Sequence, residues 1–232
     1  MMYQNEILLP FMATESQIEQ ANITQQELAK LVIRTDQLPP TIRTIAGVDV
    51  GYEKDGDRLV AVVAVLEAND LSIIETTTYT GTISFPYIPG LFSFRELPPV
   101  LKALEQLKNI PDLIICDGQG IAHPHRLGLA SHLGVVTGIP TIGCAKTKLL
   151  GNYVEPGNSK GEFSELVDQG EIIGSVLRTQ DGIKPLFISV GHKISIATAC
   201  KWILKVCKNY RLPEPIRTAD QLTKVGIKSL KK

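Results

Sequence analysis

Hydrophobic and polar residues alternate along the chain in segments that predict a definite order of helices and strands. Apolar residues at roughly helical spacing predict a first helix over residues 16–34, which ends before two consecutive prolines. Strand patterns follow at residues 45–52, 59–67 and 71–80, joined by short polar connections that are typical of antiparallel hairpins. The first third of the chain therefore predicts a helix followed by three antiparallel strands.

The remaining two thirds alternate between helical and strand patterns. Helical spacing covers residues 92–108, 127–136, 195–208 and part of 213–232, whereas buried-strand patterns cover residues 113–116, 140–145, 171–178 and 185–190. Residues 151–165 form a polar, glycine-containing excursion without a strand pattern. Pro98 and Pro99 interrupt one helical pattern and are compatible with a helix start, which would place Glu96 just before that helix. The pattern predicts an α/β fold with one mixed sheet flanked by helices.

Length and charge narrow the picture only slightly. The 232 residues show no internal boundary, so we expect a single domain over residues 1–232, with 1–14 as an N-terminal extension and 225–232 as a flexible basic tail. Lys plus Arg and Asp plus Glu number 24 each, so a nucleic-acid partner would have to be bound by a local basic patch. We expect a monomer.

The cysteines and the apolar segments indicate the cellular compartment in which the protein functions. The four cysteines form no CxxC pair, and we interpret them as reduced core residues rather than zinc ligands. No basic segment precedes the apolar patch at residues 7–12, and no run is long enough to span a bilayer. These features predict a cytoplasmic protein without a membrane partner.

Two acidic residues occupy positions where strands ordinarily exclude charge. Asp49 lies inside an apolar strand, and Asp117 ends another. An unpaired carboxylate in a dry environment is unfavourable. Simpler explanations stay open, since Asp49 can accept backbone hydrogen bonds at a bulge and Asp117 can begin a turn. If the two strands are neighbours, both carboxylates point into one notch, and Glu96 adds a third. Three carboxylates without a Cys or His cage predict Mg²⁺, with Mn²⁺ as a substitute, in a site that activates water and neutralises phosphodiester charge.

Other candidates flank the same strand ends. Gly118 and Gly120 leave room for a ligand to approach the backbone. Lys146 follows the strand at 140–145 and could contact a phosphate, although an ordinary surface lysine fits equally well. His123 follows the glycine loop and is a candidate for phosphate contact or proton transfer.

Tyr87 lies between two prolines, Pro86 and Pro89, in a loop that they make rigid. A stiff, exposed aromatic side chain suits a wedge that holds a nucleic-acid duplex open around an extruded base. Packing of Tyr87 beneath its own loop is the alternative. Further phosphate contacts could come from scattered arginines, although arginines are equally common on any surface; these are Arg95, Arg126, Arg211 and Arg217.

Four motifs together resemble one known family. They are Phe85 to Gly90 with Ser93 to Glu96, Asp117 to Gly120 with His123 and Pro124, Pro140 to Gly143 with Ala145 and Lys146, and Tyr210 to Pro215. Over about residues 15–224 the chain resembles endonuclease V, the deoxyinosine-directed repair nuclease. The resemblance implies an RNase H-like fold, Mg²⁺ dependence, and nicking of DNA at the second phosphodiester on the 3′ side of the lesion.

The resemblance also implies roles for individual residues. It makes Asp49, Glu96 and Asp117 metal-binding carboxylates, Lys146 and His123 supporting active-site residues, and Tyr87 the strand-separating wedge. Asp220 matches a position where the family has His or Asp near the metal, although a helix-capping role stays open. Gly90 and Gly118 match turns that line the base pocket, with Gly120 beside them. The chain departs from the family at Gln119, where many members have His, and at His125, where many have Arg or Lys.

Three other functions stay open at this point. The nearest is an inosine-specific endoribonuclease, because the same site could accept RNA and no reader of the 2′-hydroxyl is evident. A non-catalytic binder of deaminated nucleic acid would not need the carboxylates. A small-molecule phosphohydrolase would leave the rigid Tyr87 loop unexplained. We therefore expect DNA that contains deoxyinosine or other deaminated bases as the partner, with inosine-containing RNA as the rival.

Overall fold

One eight-stranded mixed sheet organises the computed structural model, which describes residues 14–230. The strands are β1 (Thr44–Tyr52), β2 (Arg58–Glu67), β3 (Ile73–Thr82), β4 (Leu113–Cys116), β5 (Thr141–Ala145), β6 (Phe163–Asp168), β7 (Glu171–Leu177) and β8 (Leu186–His192). They lie in the order β3-β2-β1-β4-β5-β8-β7-β6. β1, β4 and β5 are parallel, and the other neighbouring pairs are antiparallel. The predicted mixed α/β sheet is confirmed, with antiparallel strands on both sides of the parallel centre.

Helices cover both faces of the sheet. They are α1 (Glu15–Ala29), α2 (Phe92–Leu104), α3 (Leu129–Thr137), α4 (Ile196–Val206) and α5 (Glu214–Ser229). α2 and α3 pack on one face against residues such as Val48 and Cys116. α4 and part of α5 pack on the other face against residues such as Ile45 and Ile115. Strands at the centre are apolar on both sides because both of their faces are buried.

Two glycines let α5 lie directly on β1. Gly47 and Gly51 flank Asp49 at a spacing of two, so all three residues face the same side of the strand. A Cβ atom on Gly47 would lie 2.1 Å from the backbone of Pro215, and one on Gly51 would lie 2.4 Å from the side chain of Thr223. The helix can therefore come close to Asp49 only because these two positions lack side chains.

The structure corrects several predicted boundaries. α1 ends at Ala29 rather than near residue 34. Residues 151–165 showed no strand pattern, but β6 begins within them, at Phe163, and forms one edge of the sheet. Pro98 and Pro99 lie inside α2, which begins at Phe92, so Glu96 is within the helix rather than before it. Pro99 is buried in this helix.

The two predicted terminal segments differ in outcome. The N-terminal extension lies outside the described residues except for Thr14, which caps α1 in a reciprocal capping box with Gln17. The first five residues of the predicted basic tail, 225–229, continue α5, which ends at Ser229. Residues 231–232 lie outside the described residues. No helix between residues 14 and 230 has the length and apolar character to cross a membrane.

Candidate active site

The parallel pairing of β1 and β4 brings the two strand carboxylates together. Val48 pairs with Cys116, so the next residue in each strand, Asp49 and Asp117, emerges at the same end of the sheet. The side chain of Asp49 faces α5 and lies close to Thr223, whose hydroxyl donates to the Ala219 carbonyl oxygen at 2.8 Å. Burial raises the pKa of Asp49, and the negative charges of Asp220 and Asp117 raise it further. The site therefore concentrates negative charge in a partly dry environment.

Glu96 reaches the same place from α2. Its side chain is buried, with 7% of its surface exposed, and Oε1 accepts a hydrogen bond from the Tyr52 hydroxyl at 3.3 Å. Burial raises the pKa of Glu96 to about 8, with repulsion from Asp49 and Asp117 adding to the effect and the Tyr52 hydrogen bond opposing it. Glu96 is thus coupled electrostatically to both strand carboxylates.

The two remaining carboxylates, Asp117 and Asp220, each form a salt bridge with a lysine. Lys146, at the end of β5, forms a salt bridge with Asp117. Lys224 pairs with Asp220 one helical turn earlier on α5, at 2.6 Å between Nζ and Oδ2. Lys146 also interacts with Asp49 and Asp220 through its charge. All four predicted metal-binding carboxylates and Lys146 are consequently part of one electrostatic cluster.

The chemistry of this cluster fits a hard divalent cation. Carboxylate oxygens are the preferred ligands of Mg²⁺ and Mn²⁺. Burial first, and repulsion between the carboxylates second, raise the pKa values of Asp49 and Glu96, and a bound cation would offset both effects. Between residues 14 and 230, no group of three or more His, Cys, Asp or Glu side chains is already gathered at metal-ligand spacing. A cation at Asp117 or Asp220 would therefore replace Lys146 or Lys224 as the counterion.

A cleft of about 410 Å³ opens beside Asp117 and Lys146. Its walls come from the loop before α2, the loop after β4 and the segment after β5, and the lining includes Tyr87, Gly90, Gly118, Gln119, His123, Lys146 and Lys148. A Cβ atom on Gly90 would meet nothing within 4 Å, and one on Gly118 only Leu129 at 3.8 Å. No side chain at either position therefore separates the backbone from the cleft.

Gly120 is separated from this lining. It is buried, and a Cβ atom there would lie 2.0 Å from the carbonyl oxygen of Val190 on β8. The structure therefore explains Gly120 by close packing of the loop against β8. Its predicted contact with a ligand has no support in this geometry.

His123 borders the cleft as a neutral group. Burial lowers the pKa of His123 to about 4, and the nearby His125 lowers it further, while a hydrogen bond with the Gly90 backbone opposes the shift. The backbone N–H of His125 donates to Nδ1 of His123 at 3.3 Å, so the neutral ring carries its proton on Nε2. At neutral pH His123 can donate one hydrogen bond but contributes no positive charge.

Tyr87 is exposed, as its predicted role requires. The residue has 64% of its surface exposed, and its ring packs edge-to-face with the Phe92 ring, with the ring centroids 6.2 Å apart. Phe85, in the same loop, packs on Phe94 of α2 at 5.9 Å, and Phe94 packs on His132 at 4.9 Å. The loop is therefore anchored through Phe85 while Tyr87 projects outward.

The predicted phosphate-binding arginines are largely used within the protein. Arg126 pairs with Asp168 and Glu171, and Arg211 donates to the carbonyl oxygens of Lys146 and Pro185. Arg95 stacks on Tyr52, and Arg217 stacks on Tyr210. Local positive charge at the cleft comes instead from Lys146 and Lys148.

Sequence reasoning missed three residues that shape the site. Tyr52 lies at the end of β1, three positions after Asp49, so strand alternation places it on the opposite face, where it reaches Glu96 of α2. Thr223 and Gln25 gave no signal in the sequence, because each looks like an ordinary polar residue of an exposed helix, yet both are buried. Gln119 is placed at the cleft wall, where Nε2 donates to the Thr147 carbonyl at 3.2 Å and Oε1 is buried without a partner in the described structure.

A mixed sheet with carboxylates side by side on adjacent parallel strands, next to a cleft with lysines, defines a nuclease of the RNase H-like class. Comparison with known proteins identifies the group within that class. The Endonuclease V family profile matches residues 26–221. The chain belongs to the endonuclease V family, whose nucleases depend on metal ions. The family predicted from the motifs is confirmed.

Individual relatives agree in sequence and in fold. Endonuclease V of Trichormus variabilis is 52% identical over 205 residues, which cover 88% of this chain and 93% of the relative. The crystal structure of endonuclease V from Streptomyces avermitilis has a TM-score of 0.89 at 45% identity, covering 95% of this chain and 96% of the other. Ciona intestinalis endonuclease V, crystallised with a 24mer DNA containing an inosine followed by a ribo-adenosine, has a TM-score of 0.83 at 29% identity, covering 93% of this chain and 100% of the other.

Proposed function

We propose that this protein is a DNA repair endonuclease that recognises deoxyinosine and hydrolyses the second phosphodiester on the 3′ side of the lesion with Mg²⁺. The observation that carries the proposal is the position of the cleft. It runs from the exposed Tyr87 and the glycine turns to Asp117 and Lys146, so one opening joins a base-sized space to the carboxylate cluster. The Ciona intestinalis relative binds DNA that contains inosine, which supports the same ligand class here.

Base recognition would fall to the glycine turns. The cleft volume of about 410 Å³ lies in the range typical of pockets for small ligands and is ample for one extruded purine base. Gly90 and Gly118 offer backbone groups to the edge of hypoxanthine without side chains in the way. Tyr87 would fill the gap that the extruded base leaves in the duplex.

Cleavage would take place at the carboxylates. Asp49, Glu96, Asp117 and Asp220 would hold Mg²⁺, or Mn²⁺ in its place. When bound, the ion supplies Lewis-acid stabilisation of phosphodiester charge and lowers the pKa of water. Lys146, freed from Asp117, would place its ammonium group against the phosphate. His123, neutral and protonated on Nε2, would donate a hydrogen bond rather than a charge.

A nicking assay on a duplex with one deoxyinosine tests the proposal. Asp117→Ala should abolish nicking at every Mg²⁺ concentration while binding to the same duplex stays measurable, because the substitution removes a metal ligand and leaves the base cleft. Asp55→Ala, in the exposed hairpin between β1 and β2, is the matched control and should cleave like wild type. Undiminished nicking by Asp117→Ala would refute the assignment.

The rival function is an endoribonuclease that acts on inosine in RNA. The DNA bound to the Ciona intestinalis relative carries a ribo-adenosine directly after the inosine, so a ribonucleotide is accommodated in that protein at this position. Parallel cleavage of matched inosine-containing DNA and RNA separates the two functions. A faster rate on RNA at equal enzyme and Mg²⁺ concentrations would favour the rival, and binding without product from either substrate would favour a non-catalytic binder.

We propose further that the protein acts as a monomer in the cytoplasm. All four cysteines are free in the structure, which is typical of a reducing compartment. Sedimentation of the purified protein with and without DNA tests the monomeric state, and a stable dimer would contradict it.

A further inference from the structure

Gln25 is a fully buried glutamine on α1, the helix at the outside of the fold. Its side chain has 0% of its surface exposed. Nε2 donates hydrogen bonds to the carbonyl oxygens of Gly90 at 2.9 Å and Leu127 at 3.0 Å, and Oε1 lies 2.6 Å from Nδ1 of His125. The family profile begins one residue later, at residue 26. Both donors and the acceptor of this amide are therefore occupied by loop residues.

The three partners of Gln25 belong to two of the loops that line the cleft. Gly90 ends the loop that carries Tyr87, and it lines the cleft itself. His125 and Leu127 follow His123 in the loop after β4, and His123 also lines the cleft. One side chain thus connects the wall that presents the wedge to the wall that presents the histidine.

The hydrogen bonds of Gln25 continue through His125 to His123. Oε1 of Gln25 can only accept, because Nε2 faces the two carbonyl oxygens, so Nδ1 of His125 carries the proton. The backbone N–H of His125 donates to His123, and His123 interacts in turn with the Gly90 backbone. Gln25 fixes the tautomer of His125, and it is the member of this network that spans both loops.

Resting on the proposed function, we propose that Gln25 is a positioning residue that sets the distance between the Gly90 turn and the His123 loop, and thereby the selectivity for a deaminated base. A buried amide is unfavourable unless its hydrogen bonds are made. An apolar residue at the same buried position of α1 would pack there without needing any hydrogen bond. Here the amide makes its hydrogen bonds only to the walls of the cleft. The residue touches no reacting atom and acts through Gly90 and His123.

Gln25→Met provides the first test, because methionine has nearly the same shape and makes none of the three hydrogen bonds. The measurement is the ratio of Kd values for an undamaged duplex and the same duplex with one deoxyinosine, without divalent cation so that no cleavage occurs. We expect the ratio to fall at least about fivefold, since two carbonyls lose their donors and the walls separate. Gln26→Met, the same substitution at the exposed neighbouring residue, is the matched control and should keep the wild-type ratio. A loss of folded protein would weaken both affinities equally and leave the ratio unchanged.

Gln25→Glu is the second variant, for the case that Gln25→Met does not fold. It keeps the side-chain length and the acceptor for His125 but cannot donate to the carbonyl oxygens of Gly90 and Leu127, so the ratio should fall in the same direction. Hydrogen exchange of residues 85–91 and 123–128 should accelerate in both variants and not in Gln26→Met. A wild-type ratio with unchanged exchange in a folded variant overturns the inference, as does failure of both variants to fold.

The outcome for the proposed function is read separately. Wild-type protein that binds both duplexes equally would refute deoxyinosine recognition, whatever the variants do. In that case the positioning role of Gln25 is decided by hydrogen exchange alone: coupled acceleration in both loops supports it, and unchanged exchange overturns it.

Discussion

The four carboxylates of the site form two pairs that the fold treats differently. Asp49 and Glu96, the interior pair, have the uncharged side chains of Thr223 and Tyr52 beside them, and the Tyr52 hydroxyl donates a hydrogen bond to Glu96. In the described part of the chain, neither forms a salt bridge. Asp117 and Asp220, the rim pair, each form a salt bridge with a lysine, Lys146 or Lys224.

This difference indicates which of the two pairs a bound cation would stabilise more. Burial raises the pKa values of both members of the interior pair, so their negative charge is the more unfavourable. The rim pair already has counterions, which are long flexible side chains that can move away at little cost. A divalent ion would thus gain most at the interior pair, while the lysines of the rim pair become available to a phosphate.

The largest effect is expected from removing one charge of the interior pair. Glu96→Gln keeps the shape and should lower kcat/KM on deoxyinosine DNA on the order of 1,000-fold, equivalent to about 4 kcal/mol. The Tm of the variant in EDTA should equal or exceed that of wild type, because a buried charge without a counterion has been removed. Melting curves with and without Mg²⁺ check this. A lower Tm of the variant than of wild type in EDTA would show that the Glu96 carboxyl does not destabilise the metal-free protein.

The same reasoning applies to the buried imidazole of His132, which lies outside the carboxylate cluster. Burial lowers the pKa of His132 from its ordinary 6.5 to about 4, and its Nδ1 lies 3.0 Å from the Ser93 hydroxyl. Because the unfolded chain binds the proton more readily, stability is lost as the pH falls from 6.5 towards 4, by on the order of 3 kcal/mol. His132→Leu should lack this part of the loss. Urea unfolding of both proteins at pH 8, 6 and 4.5 measures the difference, and parallel pH curves would contradict it.

Lys146 should matter more than its counterpart on the rim. Lys146 borders the cleft and pairs with Asp117, so Lys146→Met should lower kcat on the order of 10- to 100-fold while deoxyinosine binding changes little. Single-turnover nicking at saturating enzyme measures the chemical step. An equal loss in binding and cleavage would instead make Lys146 a general DNA contact.

Lys224 should have the smallest effect and the opposite sign. It is two-thirds exposed and pairs with Asp220 within one helix, an interaction that contributes only about 0.3–0.5 kcal/mol. Lys224→Met removes a competitor for Asp220 and should tighten Mn²⁺ binding about twofold, as measured by titration calorimetry. Weaker Mn²⁺ binding would show that Lys224 supports the metal site rather than competing with it.

The sequence predicted those features whose signal is local. Asp49 stood out because strands disfavour charge, and Asp117 because it ended an apolar run; the parallel pairing of β1 with β4 places them side by side. The exposed Tyr87 followed from its prolines. Glu96 was found as a residue, but its place within α2 was misread because prolines usually mark a helix start.

Features that depend on tertiary contacts were not accessible in this way. β6 was missed because an edge strand with partly exposed residues lacks a strong apolar pattern. Asp220 was indicated only by family resemblance, since nothing in its helix shows that α5 lies against β1. Gln25 resembled a surface glutamine because its partners are backbone carbonyls 65 and 102 residues away.

The approach of α5 to β1 has a consequence for anyone who mutates this protein at random. Gly47 and Gly51 have no atom that could bind a metal, a base or a phosphate, yet a single methyl group on either would collide with Pro215 or Thr223. An inactivation screen should therefore recover these two glycines together with the acidic residues. Such a screen would identify Gly47 and Gly51 as residues required for activity, although their contribution is only the space that lets α5 approach Asp49.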